Sequence, residues 1–149
     1  MGNNRFTLEV ESKLENIPVI SDFIAEALNG LGLGPAIAFK VQLAVDEACT
    51  NIIKHAYSDQ TGVIKLICEL VDDNLIITIR DRGKPFDPRS VPPPDLAADL
   101  DNRKIGGLGI FFMQKMMDDV SYEFSPEEGN KLTMRKHLTE GESRGTKPL

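Results

Sequence analysis

Apolar residues recur along the chain with two different periods, and these periods predict the elements of the fold. Residues 6–10 alternate between apolar and polar side chains, as in a strand with one buried face. Two longer segments, 14–31 and 35–57, carry apolar residues at helical spacing, and each has a proline near its start, where the missing N–H costs little. Four further strands are predicted, over 63–71, 75–80, 120–124 and 131–138.

The segment between the third and fourth predicted strands differs in composition. Residues 86–105 contain four prolines and little apolar surface, and long irregular loops inside compact domains are usually lids or binding loops. A third helix is predicted from Leu108 to about Met117, and a frayed, flexible tail over 139–149. The element order favours an α/β (α+β) fold, a two-layer sandwich with helices on one face of a mostly antiparallel mixed sheet.

Composition restricts the classes of protein that the chain resembles. Its 149 residues predict one domain over 1–149, and a net charge of −6 without clustered Lys and Arg argues against nucleic-acid binding. No signal peptide and no membrane span are visible. Cys49 and Cys68 lie in apolar segments, as buried, reduced thiols do. We therefore expect a cytoplasmic protein with no membrane contact.

The second predicted helix places candidate chemistry on one side. Glu47, Asn51 and His55 are four residues apart and so share a helix face. A carboxylate one turn from a carboxamide can order a water molecule and offer oxygen ligands to Mg²⁺. Taken alone, this spacing is more typical of a solvated polar face. His55 stands near the helix end, where a capping or dipole role competes with a role in a site.

Two further motifs point to a ligand with a base and phosphates. Asp81 ends a predicted strand and can accept a hydrogen bond from an exocyclic amine, while Gly83 would let a ligand approach the backbone. Gly106-Gly107-Leu108-Gly109 opens a helix, and unobstructed N–H groups there bind anions. Arg103 and Lys104 precede it and could reach a terminal phosphate. In isolation, Asp81 and Gly83 are more typical of an ordinary turn, and the glycine run has a flexible hinge as its alternative. Arg103 and Lys104 are about as typical of solvated surface charges as of phosphate ligands. The glycines from Gly30 to Gly34 follow a helix and therefore indicate a helix stop.

Together, and in this order, these segments resemble the nucleotide-binding boxes of the GHKL (Bergerat-fold) ATPases. The run from Asp46 to Tyr57 and the run from Gly106 to Asp118 resemble the bacterial anti-sigma-factor serine kinases more specifically. The resemblance covers nearly the whole chain. It implies that Glu47 is the general base, that Asn51 binds Mg²⁺ and that Asp81, with Gly83 beside it, reads adenine. It also implies that residues 106–109, the glycine box, wrap the phosphates and that residues 86–105 form an ATP lid. Where the family usually has Gly-Thr near adenine, this chain has Gly129-Asn130, so Asn130 is a further nucleotide-binding candidate.

The resemblance implies an ATP- and Mg²⁺-dependent serine/threonine protein kinase that is also an anti-sigma regulatory protein. Its expected partners are an anti-sigma-factor antagonist, which it would phosphorylate, and a sigma factor or similar regulator, which it would sequester. A homodimer is a further possibility. Two alternatives stay open at this point. One is a nucleotide-regulated binding module without phosphotransfer, and the other is a detached histidine-kinase-type ATPase domain.

Overall fold

A computed structural model describes residues 4–57, 61–87 and 114–139. Its strands and long helices follow the predicted order. The elements are β1 (Arg5–Glu11), α1 (Ile17–Gly30), α2 (Pro35–Ala56), β2 (Val63–Val71), β3 (Asn74–Asp81), β4 (Asp119–Ser125) and β5 (Gly129–His137). Each of these elements was predicted to within a few residues at either end.

The first predicted helix is divided by a proline. Residues 14–16 form a 3₁₀ turn, and α1 begins only at Ile17. Pro18 has no N–H, so the carbonyl of Leu14 cannot receive the usual α-helical bond from four residues ahead. The N–H of Ile17 bonds that carbonyl instead, three residues ahead. The prediction of one continuous helix over 14–31 was therefore wrong for its first turn.

The sheet has five strands in the order β1-β2-β3-β5-β4, and the four pairings in the described part of the chain are antiparallel. Asp81, the last residue of β3, lies opposite Asn130 of β5. Because side chains alternate across a sheet, Asp81 and Asn130 lie on the same face as Ile79 and Leu132, their neighbours two residues away. This register brings the two polar residues together at one end of the sheet.

The core lies between one sheet face and the two helices. Fully buried residues of β2, β3 and β5 contribute one side of it, and the apolar faces of α1 and α2 contribute the other. Large members with essentially no exposed surface are Ile20, Ile24, Leu28, Ile64, Leu66, Leu75, Ile77, Ile79 and Met134. The fold is thus the predicted α+β two-layer sandwich. Both cysteines are buried and unpaired, as expected.

The structure describes only part of the third predicted helix, of the predicted lid and of the predicted tail. Residues 114–116 are helical and the helix ends before Met117. Residues 108–113 of the predicted helix lie outside the described residues, as do most of the predicted lid and tail. Among the helices that the structure describes, none combines the length and the apolar character that a membrane span requires.

Candidate functional site

The side chains of Glu47 and Asn51 contact each other on α2. Asn51 is almost completely buried, and its amide nitrogen donates to the backbone carbonyl of Glu47 at 2.8 Å and to Glu47 Oε2 at 3.0 Å. Burial raises the pKa of Glu47, against the opposing effects of the bond from Asn51 and the charge of Lys54. A carboxylate with a raised pKa is a better proton acceptor. The predicted pair is therefore brought together in a geometry that suits a base.

The carboxylate of Asp81 is buried and is held by several donors. The N–H of Gly83 donates to Asp81 Oδ1 at 2.8 Å, and the amide nitrogen of Asn130 donates to the same oxygen at 2.9 Å. The Tyr57 hydroxyl also bonds this carboxylate. Burial raises the pKa of Asp81, and these three hydrogen bonds oppose that rise. The group is thus a buried hydrogen-bond acceptor facing the end of α2.

Gly83 lies against the end of α2. A Cβ added there would lie 2.7 Å from both the Cβ and the carbonyl oxygen of Ala56, and 2.9 Å from Cε2 of Tyr57. The neighbouring Lys84 N–H donates to the Ala56 carbonyl at 3.2 Å. Close packing between the turn after β3 and α2 therefore requires glycine here, whether or not a ligand approaches the backbone.

The side chain of Asn130 forms hydrogen bonds with three other residues. Its amide nitrogen donates to the Gly83 carbonyl at 3.0 Å as well as to Asp81, and its amide oxygen accepts a short hydrogen bond from the Tyr122 hydroxyl. Tyr122 in turn accepts a bond from the N–H of Phe86 at 3.0 Å. Strands β4 and β5 are thereby tied to the segment that follows β3.

His55 contacts the same segment. Its ring stacks on the ring of Phe86, with centroids 4.6 Å apart and planes 20° apart. The stack joins the last turn of α2 to the point where the predicted lid begins. This contact adds a tertiary role to the two roles, capping or site, that the sequence left open for His55.

The two groups of site residues lie at different levels along α2. Asp81 contacts Tyr57, which follows the last residue of α2, whereas Asn51 and Glu47 lie six and ten positions earlier, within α2. The described residues thus present an acceptor at one end of α2 and an acid–amide pair nearer its middle. Such a spacing suits an extended ligand with a base at one end and phosphates at the other.

Asp46, the neighbour of Glu47, was not among the predicted site residues. It faces α1, where it bonds the Ser21 hydroxyl, while Gln42 of α2 donates to the Ser21 carbonyl at 3.0 Å. Asp46 Oδ1 is buried without a hydrogen-bond partner. Burial raises the pKa of Asp46 to about 6. The adjacent carboxylates of α2 therefore have different neighbours: Asp46 faces α1, and Glu47 contacts Asn51.

Two cavities in the described residues open on the sheet face away from the helices. Their volumes are about 310 and 290 Å³, and Arg80 lines both. The larger cavity mixes Lys65 and Arg82 with Glu9 and Glu128, and Asp81 also belongs to its lining. Arg80 and Glu128 pair at 3.5 Å. Neither cavity includes Glu47 or Asn51. Because both linings mix acidic with basic side chains and neither includes the acid–amide pair, both cavities are poor candidates for a triphosphate.

The residues predicted to hold magnesium fit that ion in chemistry. Asn51 uses its amide nitrogen toward Glu47, so its amide oxygen is directed away from that residue. Among the residues that the structure describes, no three His, Cys, Asp or Glu side chains converge as a metal site. Magnesium does not require such a cluster, because it commonly binds through one or two protein oxygens, several waters and substrate phosphates.

The remaining predicted site residues lie outside the described part of the chain. They are Arg103, Lys104, Gly106, Gly107, Leu108 and Gly109. Sequence reasoning in turn missed Tyr57 and Tyr122, the two tyrosines of the chain. Their hydroxyls accept hydrogen bonds from the backbone N–H groups of Arg82 and Phe86, which are distant in sequence. The only signal in the sequence was that Tyr57 ends the run from Asp46 that resembles the anti-sigma-factor kinases.

Comparison with known proteins identifies the class. The family model described as Histidine kinase-like ATPase domain matches residues 10–136, and the chain belongs to that family.

Particular relatives are similar to the chain over most of its length. Proteins named Serine-protein kinase RsbW from Bacillus cereus and from Bacillus thuringiensis are each 29% identical over 138 residues, covering 90% of this chain and 85% of the relative. A crystal structure of the RsbU and RsbW domains of a Mycobacterium tuberculosis protein superposes with a TM-score of 0.66 at 15% identity. That match covers 97% of this chain but 35% of the larger chain, and it supports the fold alone.

Proposed function

We propose that this protein is an ATP- and Mg²⁺-dependent serine/threonine protein kinase. The observation that carries the proposal is the hydrogen-bonded pair of Glu47 and Asn51, on the same helix whose end meets the Asp81 carboxylate. Membership of the histidine kinase-like ATPase family and similarity to proteins named serine-protein kinase support it. The base of ATP would lie at Asp81, beside Gly83, and the phosphates would extend along α2 toward Glu47.

The reaction would transfer the terminal phosphoryl group of ATP to a serine or threonine hydroxyl. The bond between that phosphorus and its bridging oxygen breaks, a bond to the hydroxyl oxygen forms, and ADP leaves. The hydroxyl proton passes to Glu47, whose pKa is raised by burial. Asn51 would hold Mg²⁺, which when bound neutralises charge on the phosphates. The glycine box at 106–109, with Arg103 and Lys104, would surround the phosphates.

The substrate is proposed to be a small protein antagonist, as the resemblance to anti-sigma-factor kinases implies. The unopposed kinase would then hold a sigma factor or a similar regulator, and two copies would associate as a homodimer. A binding module that only retains nucleotide would share the described site but would transfer nothing.

Phosphotransfer tests this proposal. The protein is incubated with terminally labelled ATP, Mg²⁺ and the products of neighbouring genes, and label on a serine or threonine is sought. Glu47→Gln keeps the shape of the side chain and removes the proton acceptor, so it should retain nucleotide binding while transfer falls by at least about 100-fold. Transfer at the wild-type rate in this variant would contradict the role of Glu47. Binding without transfer to any candidate would favour the binding-module alternative.

A further inference from the structure

We propose that Tyr122 and Asn130 are positioning residues that fix the Asp81 carboxylate as an acceptor and thereby make the site selective for a 6-amino purine. The inference rests on the proposed function, because it takes Asp81 as the residue that meets the base. It goes further by assigning the selectivity to two residues that act through Asp81.

The hydrogen-bond directions in this cluster are determined by its fixed members. Asp81 Oδ1 and the Gly83 carbonyl can only accept, so the Asn130 amide must turn its nitrogen toward them. Its oxygen then faces Tyr122, whose hydroxyl must donate. The Tyr122 oxygen is free to accept, and it does so from the N–H of Phe86 at 3.0 Å. The direction of each of these hydrogen bonds is therefore determined by backbone groups and by the Asp81 carboxylate.

This chain of bonds uses most of the accepting capacity of Asp81. An ionised carboxylate has about four acceptor positions. The Gly83 N–H and the Asn130 amide both occupy Oδ1, and the Tyr57 hydroxyl contributes a third donor. About one position is left for a ligand. Because Asp81 is 5% exposed, it cannot turn to another orientation without breaking these bonds.

The donors also favour the ionised form of the carboxylate, against the burial that raises its pKa. Burial by itself favours the protonated acid, and the bonds from Gly83, Asn130 and Tyr57 oppose that tendency. A protonated Asp81 would donate a hydrogen bond and would suit a base that carries a carbonyl oxygen. An ionised Asp81 can only accept, which suits an amino group. Loss of the Asn130 donor should therefore shift selectivity as well as affinity.

Asparagine supplies what the family's usual threonine cannot supply here. One threonine hydroxyl has a single hydrogen to donate, whereas the Asn130 amide donates to both Asp81 and Gly83 and still accepts from Tyr122. The preceding Gly129 has φ of +82°, and a Cβ on it would lie 2.5 Å from the Asp81 carbonyl oxygen. The strand thus approaches closely enough for residue 130 to reach the carboxylate.

The test compares the dissociation constants of ATP and inosine triphosphate, in which a carbonyl oxygen replaces the amino group. Both are measured by calorimetry on wild type, Asn130→Ala, Tyr122→Phe and Thr133→Ala. Thr133 lies on β5 but on the opposite sheet face, so its variant is the matched control. We expect wild type and the control to prefer ATP. The preference should fall by about tenfold in Asn130→Ala and by about threefold in Tyr122→Phe.

The outcomes separate the two proposals. If both nucleotides weaken by the same factor in the variants, Asn130 and Tyr122 are merely structural and the inference is wrong. If wild type binds neither nucleotide, the proposed function fails and the inference fails with it. Tyr122→Phe removes one oxygen atom from a half-buried residue, so it retains a readout even if Asn130→Ala does not fold.

Discussion

Replacing Gly83 with alanine should destabilise the whole fold, because the added methyl group has no space. It would lie 2.7 Å from two atoms of Ala56 and 2.9 Å from the Tyr57 ring. One of these atoms is a backbone carbonyl oxygen and another a Cβ, and neither can rotate away. The turn after β3 would have to move by roughly 0.7 Å or more to restore ordinary contact distances.

That movement sets the expected magnitude. Overpacking of a closely fitted site costs about 1–3 kcal/mol. The shift would also weaken the bonds from Lys84 N–H to the Ala56 carbonyl and from Arg82 N–H to the Tyr57 hydroxyl, at 3.2 and 2.8 Å, each worth about 1 kcal/mol. We therefore expect the free energy of unfolding to fall by about 2–4 kcal/mol, with a parallel loss of ATP affinity as Asp81 moves.

Urea unfolding followed by far-ultraviolet circular dichroism measures the change. The matched control is Gly34→Ala at the N-cap of α2, where an added Cβ meets nothing within 4 Å; alanine is a poorer N-cap than glycine, so the stability should fall by at most about 1 kcal/mol. A Gly83→Ala protein as stable as this control would refute the packing argument and would leave ligand approach as the reason for glycine at this position.

Two further predictions concern neighbouring residues on α2. The pKa of Asp46 is raised to about 6 by burial, so the folded state binds this proton more tightly than the unfolded chain, and stability from this group is lost as pH rises from about 4 through 6. Asp46→Asn cannot ionise, so its free energy of unfolding should not show this loss. Above pH 7 the variant should be more stable than wild type by about 1 kcal/mol, after allowance for partial exposure. Parallel pH profiles of the two proteins in urea unfolding would contradict this. Asn51→Ala should bind ATP equally well with and without Mg²⁺ in calorimetric titrations, because the proposed metal ligand is gone, and a retained magnesium enhancement would exclude Asn51 as that ligand.

The sequence allowed much of the fold to be predicted because the signals were local. The apolar stripe of α2 and the alternation of β1 each follow from residues close together in the chain. The division of the first helix also had a local cause in Pro18, but helical periodicity continued through it and concealed the break.

The site was predictable only where its partners share one element. Glu47 and Asn51 are one turn apart on α2, so their contact follows from spacing. The contacts of Tyr122 with Asn130 and Phe86 depend on strand order and register, which periodicity does not provide. The packing of Gly83 on Ala56 likewise depends on how the turn after β3 meets the end of α2.

The most direct test of the proposed nucleotide site is to locate the base of ATP by photolabelling. Azido-ATP, with the azide on the base, is cross-linked to the protein, and the labelled peptides are identified by mass spectrometry with and without competing ATP. The proposed site predicts labelling within residues 51–57 or 81–87, blocked by ATP and strongly reduced in Asp81→Asn. Labelling confined to Lys65 of β2 or Lys131 of β5, on the sheet face away from the helices, or labelling unaffected by Asp81→Asn, would contradict it.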